Sequence, residues 1–192
     1  TISSATSFNN EATPQIGLAY LASICKINKV KVEGIDATAV NINNKFDIPK
    51  YNLKGQGIDV DEVINRIDPN TNLIGVSAMF TYEWLYVRDC IKEVKRKLPN
   101  IKIVAGGEHV TALPDYSLND CKELDYIILG EGEQTWADIM IKLKEGSQNF
   151  NDIPGIAFRE NEKIIRTKPR ARIKEIDKIP WPDWETIPVE PY

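Results

Sequence analysis

Apolar positions recur at helical spacing from Pro14 to Asn28. Ile16, Tyr20, Ile24 and Ile27 form one stripe, which Leu18, Leu21 and Cys25 widen. Val30 to Ile35 then alternates apolar and polar, which predicts a strand ending at Asp36. Residues 41–58 are rich in Asn and Lys and contain Pro49, Gly55 and Gly57, so they read as a long loop. Asp59 is placed to cap a short helix carried by Val60, Val63, Ile64 and Ile67, and Pro69 stops it. Leu73 to Phe80 is a nearly continuous apolar run, as expected of a strand covered on both faces. Tyr82 to Leu98 is a charged amphipathic helix closed by Pro99, and Glu133 to Lys144 is a second helix that stops near Gly146. Two short buried strands, Ile101 to Ala105 and Tyr126 to Leu129, end on Gly106-Gly107 and on Gly130-Glu131-Gly132.

Strands alternating with helices predict a parallel sheet with helices on both faces. The expected fold is a doubly wound, Rossmann- or flavodoxin-like α/β domain with five parallel strands. Only Thr1 to Ala5 could supply the first of them. Ile156 to Arg159 and Lys163 to Thr167 flank Glu160-Asn161-Glu162 as a hairpin. The run Ile179-Pro180-Trp181-Pro182-Asp183-Trp184 excludes helix or central sheet and reads as a connector whose tryptophans pack on the domain. The division is therefore an α/β domain over 1–148, then a hairpin and proline-rich linker over 149–192.

Composition narrows the function. The 192 residues are 42% hydrophobic and 27% charged, enough for a real core, and carry 24 basic against 28 acidic side chains, a formal charge of −4. That balance gives no electrostatic footprint for nucleic acid. The longest apolar run, Ile16 to Cys25, falls far short of the roughly 20 residues that span a membrane. Cys25, Cys90 and Cys121 lie far apart, which fits reduced core thiols of a cytoplasmic protein and no disulfide, zinc or iron–sulfur pattern. No phosphate-binding glycine loop is present. A chain that starts at Thr1 and stops on prolines reads as a piece of something longer.

The unusual residues sit at strand ends, where ligands bind in this architecture. Gly106-Gly107 leaves room for a flat group to approach the backbone, or forms a plain tight turn. Ser77 is a hydroxyl in an otherwise apolar strand, in need of a partner or bonded to its own backbone. Glu131 and Glu133 have the residue types for acid–base work, but Glu133 opens a helix, where a carboxylate offsets the dipole.

Together these residues resemble the cobalamin-binding domains of methionine synthase and the corrinoid methyltransferases and mutases. Ser77-Ala78-Met79 stands for the family's Ser-x-Leu and is followed, 26 residues on, by Gly106-Gly107. The family's Asp-x-His-x-x-Gly falls on Ala12-Thr13-Pro14-Gln15-Ile16-Gly17, which keeps Gly17 but holds Ala12 and Pro14 where aspartate and histidine stand. Neither can ligate cobalt, so the resemblance implies no metal ligand from the protein. The chain is most similar to the N-terminal domains of cobalamin-dependent radical S-adenosylmethionine enzymes, which commonly lack that histidine. Pro14 to Ala22, Gly106-Gly107-Glu108-His109-Val110-Thr111, Gly130-Glu131-Gly132-Glu133 and the Pro180-Trp181-Pro182-Asp183 linker resemble their segments in the same order.

The resemblance implies a cobalamin-binding module. Its own radical S-adenosylmethionine domain, holding S-adenosylmethionine and a [4Fe-4S] cluster, would lie outside this chain. The reaction class would be methyl transfer, or radical rearrangement or cyclisation. Ser77, Gly106 and Gly107 would receive the nucleotide tail, Met79 and Phe80 would form apolar wall, and Glu131, Gly132 and Glu133 would line the corrin edge. The loop around Pro14 and Gly17 would meet the lower face. His109 is placed near the tail, which favours a polar contact to cofactor or backbone over ligation of cobalt; a surface position stays open. No residue of this chain is expected to be catalytic. The competing reading is a non-catalytic flavodoxin-like domain for ligand sensing or interaction.

Overall fold

The computed structural model describes the backbone of residues 2–4 and all of residues 12–192. The strands and helices, in chain order, are β1 (Ile2–Ser4), α1 (Ile16–Ile27), α2 (Ala37–Val40), β2 (Lys45–Ile48), β3 (Leu53–Gln56), α3 (Val60–Asn65), β4 (Leu73–Ser77), α4 (Trp84–Lys97), β5 (Lys102–Gly106), α5 (Glu108–Ala112), α6 (Pro114–Asp120), β6 (Tyr126–Ile128), α7 (Glu133–Lys144), β7 (Ile156–Glu160) and β8 (Lys163–Arg166).

The main sheet has five strands in the order β4-β5-β6-β7-β8. β4, β5 and β6 are parallel; β7 and β8 add on antiparallel. Side-chain alternation divides the sheet into two apolar faces. Ile103, Ala105, Ile127 and Ala157 meet Trp84, Ile91 and Val94 of α4, with Ile64, Val110 and Leu118. Val104, Tyr126, Ile128, Ile156 and Phe158 meet Ile24 and Cys25 of α1 and Trp136, Ile139 and Met140 of α7. Burial on both faces is the reason these strands read as unbroken apolar runs. The α/β class, the five-stranded count and the helices on both faces are as expected from sequence.

The make-up of the sheet differs from that expectation. It is mixed, because the C-terminal hairpin supplies two of the five strands. Asn161 and Glu162 both take positive φ (47° and 61°), the two-residue turn that suits strand twist. Val30–Ile35 is no strand. Val30 and Val32 do point into the apolar clusters around α1, but among the described residues the segment has no ladder partner. Alternation fixes a face, and a strand also needs a neighbour.

Residues 41–58 are not a plain loop either. β2 and β3 form an antiparallel hairpin, and the Phe46 ring lies over Gly55, where a Cβ would come within 2.2 Å of it. Ile2–Ser4 pairs with β3 in this second sheet, not with the parallel strands; Thr1 and Ala5 of the expected first strand lie outside the described residues.

The tail also departs from the simple connector. Asp183 accepts from Lys26 and caps Thr186, its own N–H donates to the Ala19 carbonyl, and Ile187 packs on Ala19 and Ala22. The Tyr192 hydroxyl donates to Asp36 at 2.7 Å. Trp184 packs as expected, whereas Trp181 does not: it is 91% exposed, held out between two prolines.

Candidate functional site

The C-terminal ends of β4, β5 and β6 carry the candidate residues. Ser77 lies in register with Gly106, and the Ala78 N–H donates to the Gly106 carbonyl at 2.7 Å. β4 ends at Ser77, three residues before the apolar run does. There the carbonyls of Ala78 and Met79 turn to accept the His109 N–H, both at 3.2 Å. Residues 78–83 therefore form a turn that leaves Met79 and Phe80 half exposed (45% and 53%), with Phe80 stacked on Tyr82 at 5.6 Å.

The two glycines do different work. A Cβ on Gly106 would meet nothing within 4 Å, so open space lies over the end of β5. Gly107 has φ +119°, and a Cβ there would sit 2.6 Å from the Ala78 carbonyl oxygen. Gly107 lets the β5 turn close against the β4 turn. Ser77 is exposed and its hydroxyl has no partner among the described residues.

His109 is only 2% exposed. Nδ1 lies 3.1 Å from Thr81 Oγ1 and Nε2 lies 3.3 Å from Ser117 Oγ. Burial holds its pKa below the ordinary 6.5, partly offset by the negative charge of Asp120. Asp120 accepts from Trp84 Nε1 (2.9 Å) and Arg88, and Arg88 also reaches Asp89 and the Tyr51 hydroxyl. Thr81, Ser117 and Trp84 escaped sequence reasoning. Their signal was faint: a hydroxyl closing the Leu73–Phe80 run, and a serine eight residues after the sole histidine.

The turn after β6 joins this group through Thr111, whose hydroxyl accepts the Gly130 N–H at 3.1 Å. Glu131 is committed to the linker, accepting the Ile173 N–H at 2.8 Å. Gly132 packs toward Leu21 of α1 and Ile128. Glu133 opens α7 with Oε2 buried and unpaired among the described residues. Pro14 and Gly17 stand at the start of α1, and no hydrogen bond joins them to the Ser77–Gly106 group among the described residues.

Elsewhere, an open cavity of about 340 Å³ is lined by Gly34, Ile35, Val40, Arg66 and Thr186, and none of the candidate residues touches it. Among the described residues no group of three or more His, Cys, Asp or Glu could hold a metal ion. The three thiols are free. Burial pushes Cys90 up to about 12 and Cys121 up to about 11, and raises Cys25, whose Sγ accepts from Trp136 Nε1. Such thiols are inert. No helix among the described residues is long and apolar enough to cross a membrane.

Comparison with known proteins adds the following. Residues 10–140 match the family described as the B12 binding domain. An uncharacterized methyltransferase, PH0819, of Pyrococcus horikoshii is 28% identical over 180 residues, covering 93% of this chain and 35% of that protein. The anaerobic magnesium-protoporphyrin IX monomethyl ester cyclase of Synechocystis is 35% identical over 138 residues, covering 68% of this chain and 26% of the relative. The chain thus spans about a third or less of these relatives. In shape it is similar to two solved structures. One is the cobalamin-dependent S-adenosylmethionine radical enzyme OxsB with aqua-cobalamin and S-adenosylmethionine (TM-score 0.66, 18% identity, 90% of this chain and 22% of that one). The other is the radical S-adenosylmethionine methyltransferase TsrM of Kitasatospora setae, with cobalamin and an iron–sulfur cluster (TM-score 0.64, 19% identity, 88% and 29%). At these identities the likeness speaks for the fold.

Proposed function

Because the chain belongs to the B12 binding domain family, we propose that it is the cobalamin-holding part of a radical S-adenosylmethionine enzyme that methylates or cyclises its substrate. The observation that carries this reading is the open space over Gly106, beside the unpartnered hydroxyl of Ser77. A Cβ would fill part of that space, and an extended cofactor tail needs it clear.

The other residues fit the same group. Met79 and Phe80 offer apolar surface to a flat ring, and Ser77 offers a donor to the tail or to water beside it. The rim of a corrin carries amide N–H groups, and Glu133 Oε2 is a buried acceptor in want of a donor. Glu131 acts one step back, fixing the linker at Ile173 and so the approach to the β6 turn. Gly132 lies beside Leu21 of α1, whose first turn carries Gly17 and follows Pro14. With Pro14 and not an imidazole in that loop, the protein supplies no nitrogen ligand there.

Cobalamin supplies a cobalt centre that carries a methyl group or exchanges electrons. This chain's part is to bind it, orient it and keep one face covered. S-adenosylmethionine and the [4Fe-4S] cluster belong to a separate radical domain of the longer protein. The Pro180–Asp183 segment, pinned to α1 through Asp183, would fix the course of the linker on this domain, and the proposed division of the chain is 1–148 and 149–192. Three free thiols, two buried and one partly buried, suit a reducing cytoplasmic setting.

Titration with hydroxocobalamin tests the reading. Binding should shift the visible spectrum of the cofactor, and the colour should travel with the protein on gel filtration. An unchanged spectrum with no co-elution contradicts it.

A further inference from the structure

We propose that His109 is a positioning residue: its imidazole, bridged between Thr81 and Ser117, sets the turn that presents Met79 and Phe80 at the ligand end of the sheet. The proposal rests on the cobalamin reading for what the turn is for, and on the geometry alone for what His109 does to it.

The proton inventory fixes the direction of each bond. The Ser117 hydroxyl has a single proton, and it donates that proton to the Leu113 carbonyl at 2.8 Å. Toward His109, 3.3 Å away, Ser117 Oγ can therefore only accept, so Nε2 carries the hydrogen. A neutral imidazole with its proton on Nε2 has a bare Nδ1, which accepts the Thr81 hydroxyl at 3.1 Å. The relay runs Thr81 to His109 to Ser117 to Leu113, and every ring nitrogen is used.

The same residue grips the turn a second time. Its backbone N–H holds the Ala78 and Met79 carbonyls, while its ring holds the Thr81 side chain. Met79 and Phe80 lie between those anchor points. The ring cannot drift, because one face stacks on Trp84 (4.7 Å between centroids) and its plane meets Tyr116 edge-on (6.3 Å). Trp84 is fixed in turn by its bond to Asp120, and Asp120 by Arg88, which reaches the Tyr51 hydroxyl. A continuous polar and aromatic path thus supports the turn from behind. His109 is sealed from solvent with both nitrogens committed, so it acts on a bound cofactor only through Thr81 and the turn.

His109→Ala risks the fold, since it empties a buried site. Thr81 is exposed, so Thr81→Val removes the same hydrogen bond at little cost to packing, and Thr81→Ser restores the hydroxyl. Two readouts apply to each variant: amide hydrogen exchange of residues 78–83 in the protein alone, and hydroxocobalamin affinity from the visible spectrum. Thr81→Val should speed exchange across the turn and weaken binding about tenfold, on the scale of one preorganising hydrogen bond. Thr81→Ser should return both to the wild-type values. Unchanged exchange in Thr81→Val overturns the positioning role. Faster exchange with unchanged affinity overturns its link to the site. If wild-type protein binds no hydroxocobalamin, the functional reading falls instead, and the exchange arm still decides whether His109 holds the turn.

Discussion

The Asp125 corner and the Ser77–Gly106 corner, at opposite ends of the parallel strands, are built differently. At the N-terminal end, Asp125 accepts from Lys95 and Lys102 and from the Ile103 N–H, each at 2.9 Å, so the carboxylate that precedes β6 is fully engaged, although Arg159, one residue beyond the Tyr126–Phe158 pair, keeps two buried guanidinium nitrogens without a partner among the described residues. At the C-terminal end, Ser77 has a free hydroxyl, Gly106 looks into open space, Glu133 holds a buried unpaired oxygen, and two large apolar side chains stand half out of the fold. The strands joining the two ends follow one code of buried alternation. The difference lies in the connections. The Asp125 corner is closed by its ion pairs; beside Gly106 volume stays open next to an unpaired hydroxyl, which is where the proposed cofactor would sit.

The largest expected effect comes from filling the open end. Gly106→Val should cost hydroxocobalamin binding ~100-fold or more, with an unfolding temperature near wild type, since the added carbons project into empty space. Retained affinity would remove Gly106 from the site. Its neighbour should behave the opposite way. Gly107→Ala forces a side chain into φ +119° and against the Ala78 carbonyl, and should lower stability by about 2 kcal/mol in denaturant unfolding. If Gly107→Ala is as stable as wild type, the close approach of the two turns is not what glycine is there for.

The closed end sharpens the contrast. Asp125→Asn should lower stability by about 1–2 kcal/mol through two lost ion pairs at a largely buried carboxylate, and should leave hydroxocobalamin affinity within about twofold. A large affinity loss there would blur the distinction between the ends. Ser77→Ala should weaken binding about fivefold, the worth of one net hydrogen bond, with no change in stability.

The smallest effect is on pH dependence. His109 titrates below 6.5 when folded and near 6.5 when unfolded. Between those values the unfolded chain binds more protons, so stability present above pH 6.5 is lost as pH falls through that window. His109→Gln should flatten the thermal-melt profile there; an unchanged slope would mean that burial does not hold the imidazole neutral.

Local physics made much of this legible from sequence. Helix α7 was expected at Glu133–Lys144, where it lies, because periodicity and the following glycine are local signals. The C-terminal hairpin was readable for the same reason, although its joining of the parallel sheet was not. The β2–β3 hairpin was hidden because its exposed positions hold Lys and Asp and its packing turns on one pair, Phe46 over Gly55. Val30–Ile35 carries a strand's alternation but finds no ladder among the described residues, a non-local condition.

The strand-end glycines marked the candidate site, yet the division of labour between Gly106 and Gly107 depends on what lies opposite each. The Thr81–His109–Ser117 bridge joins residues 28 and 8 positions apart, and no period or motif announces such a contact.

The contrast between the two ends can be read in one measurement: amide hydrogen exchange across the chain with and without hydroxocobalamin. Slowed exchange at 77–82, 106–111 and 130–133, with 99–103 and 121–126 unchanged, is the result expected of a cofactor seated at the open end. Protection confined to the closed end, or spread evenly over both, would contradict it.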